Sequence, residues 1–405
     1  MNPWRGLKGI PHNIWILAFA TLINRSGTMV LPFLALYMIK VIGISQGSAG
    51  LVLTFYGLGA FATAPFVGKL SDRLGALRVM KLSLALTGIM LFAYSIITNF
   101  YLILITTIVW SVISESFRPA NLSMISKEAG TERLKTSFAL NRIAINLGMS
   151  IGPVVGGFLS TIDFHLLFYV DGITSILAAL FLMFSKFEPH KRESENEEIV
   201  TAESDSMVPK TVESNFALFK DKRYLIFIIA LLPVSIVFFQ LLGAVPVFLV
   251  QHLGFKESVF GMLMAINTVM IIFLEVPLNN AMAHWDDRLS IAFGALLCGI
   301  GFGAMAVFEN VFLIIFTVII WTFGEMIFFP STTSYASRIS PENRRGEYMG
   351  YFQMTFSFSV MVGPWLGTET LENFGSVILW SAAFVLCAFS ALFFLRLKKK
   401  SAFSY

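Results

Sequence analysis

The chain has 405 residues, of which 56% are hydrophobic and only 13% are charged, and its formal net charge is +4. Soluble proteins are about half apolar and about one-quarter charged, so this composition excludes an ordinary soluble domain. It indicates a polytopic membrane protein.

Apolar runs of about 20 residues, each long enough to cross a bilayer as a helix, follow one another along nearly the whole chain. We predict twelve spans, at residues 14–39, 47–69, 80–98, 101–127, 134–160, 164–186, 223–251, 257–283, 289–308, 311–337, 346–370 and 374–397. The predicted fold is therefore an all-α polytopic membrane protein with twelve transmembrane helices. Residues 187–222 change to a charged, Ser- and Thr-containing composition, which predicts a cytoplasmic linker between six-helix bundles of residues 1–186 and 223–405.

The basic residues lie mainly in alternate breaks between the spans, and the other breaks hold little beyond Lys40 and Lys256. Because cytoplasmic loops are enriched in Lys and Arg, we predict that both chain ends are cytoplasmic. The same distribution explains the isoelectric point of about 9.0 without a nucleic-acid partner. The first apolar run is too long for a cleavable signal peptide and lacks a small-residue cleavage site. Cys298 and Cys387 lie inside predicted spans, where we expect them to fill apolar space rather than to form a disulfide or a metal site.

The first span carries Asn24 and Arg25 in an otherwise apolar helix. An ionisable group at such a depth is functional by default, so we expect Arg25 to face a polar cavity. The alternative is a structural ion pair.

The fourth span ends in a polar cluster that contains Glu115 and Arg118. Residues three apart share one helix face and can pair or bridge to other helices. A carboxylate in apolar surroundings can titrate near neutral pH, as proton coupling requires. The alternative is a permanent Glu115–Arg118 ion pair that only fixes helix positions.

The fifth span repeats small residues every four positions, at Gly148, Gly152 and Gly156. This spacing leaves a bare backbone ridge on one face, against which another helix can pack closely. Arg142 and Asn146 are also four apart and can present polar groups to an interior. The alternative is a packing motif with an Arg that reaches towards the membrane surface.

The sixth span carries Asp171 near its outer end. Asp171 could act as a second proton carrier or as a gate contact on the periplasmic side. The alternative is that it only caps a helix, and we prefer the cap.

The two halves are repeats with an offset of 211 residues, which relates Pro119 to Pro330 and Pro153 to Pro364. We therefore predict two parallel, pseudo-symmetric six-helix bundles. Glu275 and Glu325 have no acidic counterparts at this offset. We expect Glu325 to line the cavity and bind a proton or a cationic substrate, and Glu275 to pair with a basic loop residue.

Two stretches resemble motifs of the major facilitator superfamily. The break after the second span resembles the family's loop motif between helices two and three, although Ala76 and Leu77 stand where basic residues are usual. The segment with the glycine ridge resembles its fifth-helix antiporter motif. The fourth-helix motif of proton-linked drug exporters is missing, and Thr107 and Ser111 stand roughly at its positions. The residues assigned to the two motifs are Gly68, Asp72, Arg73, Gly75, Arg78, Gly148, Gly152, Pro153, Gly156 and Gly157.

The resemblance implies a secondary transporter of the bacterial drug–proton antiporter branch, which works by alternating access in the cytoplasmic membrane. We expect proton-coupled export of amphipathic or lipophilic small molecules, driven by the proton gradient without a cofactor, by a monomer whose partners are substrate, protons and lipid. The candidate substrate and proton residues are Asn24, Arg25, Glu115, Arg118, Arg142, Asn146 and Glu325, with Asp171 as a further acid on the periplasmic side.

The alternative is a proton symporter that imports a small anionic or zwitterionic solute held by arginines. A receptor or scaffold is disfavoured because the chain has no large soluble domain. An enzyme is not expected, because the sequence contains no metal-ligand cluster, nucleotide-binding loop or nucleophile triad.

Overall fold

The structure is a computed structural model that describes residues 9–188, 221–282, 284–341 and 344–396. Most of the predicted linker therefore lies outside the described residues. We call the residues up to 188 the N-terminal half and those from 221 the C-terminal half. Every regular element in these described ranges is a helix.

The N-terminal half contains seven α-helices. They are α1 (His12–Gly27), α2 (Val30–Tyr37), α3 (Gln46–Leu74), α4 (Ala76–Tyr94), α5 (Phe100–Glu115), α6 (Phe117–Ile162) and α7 (His165–Phe184). A π-helical turn, Met38–Ile42, extends α2.

The C-terminal half contains six α-helices. They are α8 (Lys222–Phe238), α9 (Ala244–Val247), α10 (Glu257–Ala281), α11 (Asp287–Ala304), α12 (Val311–Ile339) and α13 (Arg345–Arg396). A 3₁₀ turn, Phe239–Leu242, follows α8, and a π-helical turn, Phe248–His252, follows α9.

Ten helical segments of the described chain are long and apolar enough to cross a membrane, by length and composition. The 52-residue α13 is far longer than the roughly 20 residues that one crossing needs. It is broken at Gly375, whose backbone is not helical (φ 82°, ψ 172°), one residue after the start of the last predicted span. The all-helical membrane fold is confirmed, and the count of twelve crossings stays a prediction.

Helix α6 contains the end of the fourth predicted span and the whole of the fifth. In a straight helix Asn121 and Asn141 would lie about 30 Å apart. Instead, the Asn121 side-chain amide donates a hydrogen bond to the Asn141 carbonyl oxygen at 3.0 Å. The chain therefore turns back between these residues, and the fourth and fifth predicted spans run in opposite directions.

Short polar side chains begin several of the helices. Ser45 accepts a hydrogen bond from the backbone N–H of Ser48, and Asn99 does so from that of Leu102. In the C-terminal half, Asp221 begins α8 in the same way. These caps satisfy N–H groups that have no partner within the helix.

Contacts between helix ends define the two ends of the bundle. At the terminal end, Asn13 near the start of α1 donates to the backbone oxygen of Glu188 at 2.9 Å. At the same end of the C-terminal half, Phe394 near the end of α13 packs against Phe227 at the start of α8. The opposite end, which we call the far end, contains Lys40 and Glu257 in contact across the two halves.

The apolar core is divided unequally. The larger cluster of buried side chains includes both halves, and the rings of Phe33 and Phe260 meet edge to face across them at 5.3 Å. The smaller cluster lies wholly in the N-terminal half and includes Ile14 and Ile125. Cys298 and Cys387 are buried free thiols in the larger cluster, as expected for apolar filling.

Candidate site in a polar cavity between the halves

The far end is closed by two glycine contacts that repeat each other. A Cβ added to Gly261 in α10 would overlap the backbone oxygen of Pro153 in α6. A Cβ added to Gly50 in α3 would lie 3.2 Å from the backbone oxygen of Pro364 in α13. Gly50 lies 211 residues before Gly261, and Pro364 lies 211 residues after Pro153. The internal repeat therefore brings the two halves together in the same way on both sides.

Polar contacts reinforce this closure. Lys40 and Glu257 form an ion pair, and Gln46 hydrogen-bonds the His252 ring at 3.3 Å. The backbone N–H of Gly47 donates to the Glu372 carboxylate at 2.6 Å. Each of these contacts joins one half to the other.

A cavity of about 630 Å³ lies between the halves, between α6 on one side and α10 and α12 on the other. We call it the main cavity. It brings together three of the residues predicted from the sequence, Arg142, Asn146 and Glu325. The rest of its wall is formed by Ile271, Glu275, Met326, Phe329, Pro330, Thr333 and Ser334.

One ion pair crosses the main cavity, between Arg142 of α6 and Glu275 of α10. The Arg142 side chain is 62% exposed and that of Glu275 is 11% exposed. The prediction that Glu275 pairs with a basic loop residue is therefore wrong. Its partner is a helical residue of the opposite half, because packing of α10 against α6 brings the two side chains together.

Glu325 is held by a residue that the sequence analysis did not single out. The side-chain amide of Asn267 in α10 donates to the Glu325 carboxylate at 2.7 Å and to the Thr322 hydroxyl at 3.1 Å. Asn267 is buried. The carboxylate is therefore fixed in the wall of the main cavity by a neutral donor.

Glu115 is held in a similar way in the N-terminal half. The Tyr56 hydroxyl donates to its carboxylate at 2.8 Å, and the Ser111 hydroxyl donates to the Tyr56 backbone oxygen at 2.6 Å. Among the described ion pairs there is none between Glu115 and Arg118, so that alternative is not formed. The Glu115 carboxylate is engaged by the Tyr56 hydroxyl instead, while the Arg118 side chain is exposed.

The two arrangements are related by the internal repeat. Tyr56 and Asn267 differ by 211 positions, and each lies in the helix that follows its half's first predicted span. The carboxylates are displaced by one residue, because Glu325 corresponds to Ser114 and not to Glu115. Applying the offset to polar residues, and not only to glycines and prolines, could have found both donors.

A smaller cavity of about 40 Å³ lies inside the N-terminal half. Its wall includes four of the predicted site residues, Asn24, Arg25, Glu115 and Asp171. The Asp171 carboxylate accepts from the backbone N–H groups of Met29 and Val30, at 3.2 Å each. Asp171 therefore does cap a helix, but the helix is α2 and not its own, since it lies beyond the first turn of α7.

A third cavity, of about 180 Å³, contains Arg25, Arg118 and Arg142 in its wall. We call it the arginine cavity. The buried Nε of Arg25 has no hydrogen-bond partner among the described residues. Arg25 therefore lines this cavity as well as the small one, and no ion pair to it is formed within the described part of the chain. Its functional role stays a prediction.

The glycine ridge of α6 holds α1 in place. A Cβ added to Gly148 would overlap that of Arg25, and one added to Gly152 would lie 2.7 Å from the Thr28 backbone oxygen. The close helix contact predicted from the spacing is therefore confirmed. Gly157 faces the other half, where an added Cβ would lie 2.9 Å from the Glu257 backbone oxygen.

The loop motif is a short turn between α3 and α4. Gly75 has a positive φ of 85°, which glycine adopts without strain and which ends α3. Arg73 and Arg78 are exposed. Gly68 and Asp72 fall within α3, but their surroundings lie outside the described residues, so the gating role of this motif stays a prediction.

An all-helical membrane protein whose two repeated halves meet at one end, with a polar cavity between them, has the architecture of a secondary transporter. The family model described as "Major Facilitator Superfamily" matches residues 14–274 and 241–401. The chain therefore belongs to the major facilitator superfamily, a family of transporters.

The chain is similar to several curated transporters. It is 24% identical over 386 residues to the uncharacterized MFS-type transporter YqjV of Bacillus subtilis, covering 93% of this chain and 90% of that protein. It is 25% identical over 364 residues to a Na⁺, Li⁺, K⁺/H⁺ antiporter of Planococcus maritimus, covering 84% and 85%. It is 24% identical over 163 residues to the quinolone resistance protein NorA of Staphylococcus aureus, covering 40% and 42%.

Two solved structures show the same fold. The nucleoside transporter NupG matches with a TM-score of 0.76 and 18% identity, over 95% of this chain and 97% of that one. A POT family transporter matches with a TM-score of 0.75 and 16% identity, over 97% of each chain.

Proposed function

We propose that this protein is a proton-coupled secondary transporter that exports amphipathic or lipophilic small molecules by alternating access, without a cofactor. The observation that carries this proposal is the position of Glu325 in the wall of the main cavity, beside apolar side chains, while the far end is closed. By the distribution of basic residues, the terminal end is cytoplasmic. The cavity then takes up its substrate from the cytoplasmic side of a bacterial membrane.

The wall of the main cavity fits a molecule with both apolar and polar parts. Ile271, Met326 and Phe329 supply adaptable apolar surface, and Asn146 and Glu325 supply polar groups. The curated relatives named as a cation–proton antiporter and as a quinolone resistance protein support proton-coupled export as the activity.

In this proposal the carboxylates of Glu325 and Glu115, each held by a hydrogen bond, couple transport to proton movement. Glu325 exchanges a proton with the main cavity, and Asn267 keeps the carboxylate in place while it is ionised. Glu115, held by Tyr56, is a second proton site within the N-terminal half. An ionisable carboxylate within the membrane is costly, so its presence there favours such a task.

We infer alternating access from contacts that exist only while the far end is closed. With the far end closed, the glycine contacts and the Lys40–Glu257 pair are formed. Opening of the far end breaks these contacts and brings the halves together around Arg142 and Glu275, which already touch across the main cavity.

Reconstitution in proteoliposomes with a trapped pH dye tests the proposal. We expect lipophilic drugs to trigger proton movement opposite to their own, and Glu325→Gln to abolish this movement. Glu309→Gln is the matched control, because Glu309 is an exposed carboxylate in a loop. If Glu325→Gln leaves export and its pH dependence unchanged, Glu325 has no coupling role.

A second candidate is proton-coupled import of a small anionic or zwitterionic solute. The three arginines that line one cavity favour it. In the same vesicles, protons that move together with an organic anion would select import over export.

A further inference from the structure

The arginine cavity is formed entirely by the N-terminal half. Thr21 and Arg25 come from α1, and the remaining side chains come from the two antiparallel arms of α6. The turn of the chain between these arms places Arg118 and Arg142 beside the same space. No carboxylate lines this cavity.

Few protein acceptors serve the three arginines, and the Nε of Arg25 is the one nitrogen among them that is both buried and without a partner in the described residues. Arg142 pairs with Glu275, which belongs to the other half and to the main cavity. Arg118 forms no ion pair among the described residues, and the buried Nε of Arg25 has no hydrogen-bond partner there. A buried donor without an acceptor is costly, so the cavity is suited to a ligand that brings acceptor oxygens.

The acidic groups near Arg25 lie on its other side. Glu115 and Asp171 line the small cavity of the N-terminal half, and both are already engaged, by Tyr56 and by the start of α2 respectively. They balance part of the charge of Arg25 without filling the arginine cavity.

The floor of the arginine cavity is rigidly built. Asn121 donates to Asn141 at 3.0 Å and to the Thr21 hydroxyl at 3.1 Å, and all three side chains are buried. The contact of Gly148 with Arg25 fixes the backbone that carries that arginine. A site that exists before the ligand binds loses less entropy on binding.

Arg142 lines both the arginine cavity and the main cavity, so the two spaces adjoin at this side chain. The arginine cavity, at about 180 Å³, has room for a carboxylate or phosphate group. The main cavity, at about 630 Å³, offers the apolar surface of Met326 and Phe329 to a larger body.

We propose that the substrate is an amphipathic oxyanion, whose carboxylate or phosphate head binds Arg25, Arg118 and Arg142 while its apolar body lies in the main cavity. The head competes with Glu275 for Arg142, so binding releases the ion pair that joins the halves. The proposal rests on the proposed function for transport of this molecule, but not for its binding.

Binding to the purified full-length protein in phosphatidylcholine nanodiscs, without any proton gradient, tests the site. The probes are decyl phosphate, decyltrimethylammonium and decanol, which share one tail and differ in the head, each below its critical micelle concentration. Since hydrogen bonds to charged groups are strong, we expect decyl phosphate to bind about tenfold or more tightly than the other two. Equal affinity for the three heads would overturn the proposal.

Variants identify the arginines that are responsible. Arg118→Gln should weaken decyl phosphate binding about tenfold and leave decanol binding unchanged. Arg338→Gln is the matched control, because Arg338 is paired with Asp287 and is not among the residues that line the two cavities. Glu275→Gln should strengthen decyl phosphate binding, since it removes the competitor for Arg142. Weaker binding to Glu275→Gln, or unchanged binding to Arg118→Gln in a normally folded protein, would refute the assignment.

Two further measurements distinguish a lipid headgroup from a transported solute as the source of the oxyanion. If phosphatidic acid added to the nanodiscs displaces decyl phosphate, the site also takes a lipid headgroup, and the oxyanion chemistry stands. If decyl phosphate binds but drives no proton movement in vesicles, the proposed transport fails while the site is upheld. If vesicles export drugs but decyl phosphate does not bind, only the oxyanion site fails.

Discussion

The contact between Gly261 and Pro153 predicts how a single methyl group shifts the balance between conformations. In the far-end-closed conformation, a Cβ added to Gly261 would overlap the Pro153 backbone oxygen and lie 3.3 Å from the Cα of Gly157. These are backbone atoms, which cannot rotate away as a flexible side chain could. Gly261→Ala must therefore push the two halves apart.

The size of the effect follows from the cost of overpacking. Extra methyl groups in a well-packed interface cost about 1–3 kcal/mol. The cost falls only on the conformation in which the contact exists. It therefore lowers the ratio of far-end-closed to far-end-open protein by a factor of about 5–150. Gly50→Ala, at the repeat-related position, should act in the same direction, because its Cβ would lie 2.8 Å from the Cα of Trp365.

Labelling of a cysteine in the closed interface measures this ratio. Ser258 is 8% exposed and lies beside Gly157, so Ser258→Cys should react with a bulky maleimide only when the far end opens. We expect Gly261→Ala to raise the labelling rate of Ser258→Cys by the same factor of about 5–150. The native thiols, Cys298 and Cys387, are buried and should contribute little background.

Gly324→Ala is the control for a general packing defect. Its Cβ would lie 2.6 Å from the backbone nitrogen of Cys298, within the C-terminal half. This contact does not depend on how the halves meet, so the variant should lower thermal stability and leave labelling unchanged. Equal labelling of the Gly261→Ala and wild-type backgrounds would refute the reasoning, as would an equal increase with Gly324→Ala.

Three further predictions concern polar contacts. Lys40→Glu should raise the same labelling rate by about two- to fivefold through repulsion from Glu257, and exchanging both charges should restore it; failure of the double exchange would contradict an ion-pair role. Asn267→Ala should lower the unfolding free energy by about 1–3 kcal/mol, because it removes the buried donor that holds the half-buried Glu325 carboxylate; unchanged thermal unfolding would exclude this. Asp163 accepts a hydrogen bond from the His165 backbone, which lowers the pKa of Asp163 below its ordinary value of 3.8. Since the folded pKa lies below the unfolded one, the carboxylate stabilises the fold above pH 3.8 and this contribution is lost as the pH falls through the folded pKa. Asp163→Asn and wild type should therefore differ in unfolding temperature at neutral pH and converge in acid, and a difference that persists in acid would contradict the assignment.

Some of the site could be predicted because its signal lies in spacing along the chain. The glycines of the fifth span recur every four residues, which puts them on one helix face whatever the partner is. The offset of 211 residues predicts that a contact between the halves has a repeat-related counterpart, as the contacts of Gly50 and Gly261 show. The position of Arg25 beside a polar cavity follows from its cost within an apolar helix.

The partners of the charged groups could not be predicted in this way. Tyr56 and Asn267 are neutral residues within apolar helices, and neither has a charge that marks it as functional. The pairing of Arg142 with Glu275 joins helices more than a hundred residues apart, and it depends on how each is rotated against the other half. Glu115 and Arg118 are only three residues apart, yet Tyr56 engages Glu115 and the two side chains line different cavities.

The sequence by itself determined that the chain is a helical membrane protein of two repeated halves, because hydropathy and repeat spacing are local properties that do not depend on packing. It also determined which residues carry charge within the membrane. Only the tertiary structure decided that the halves meet at the far end, that neutral side chains hold Glu115 and Glu325, and that three arginines share one cavity. The physical reason is that helix rotation and tilt are chosen by the whole packed interface, and a shift of one residue turns a side chain by about 100° around its helix.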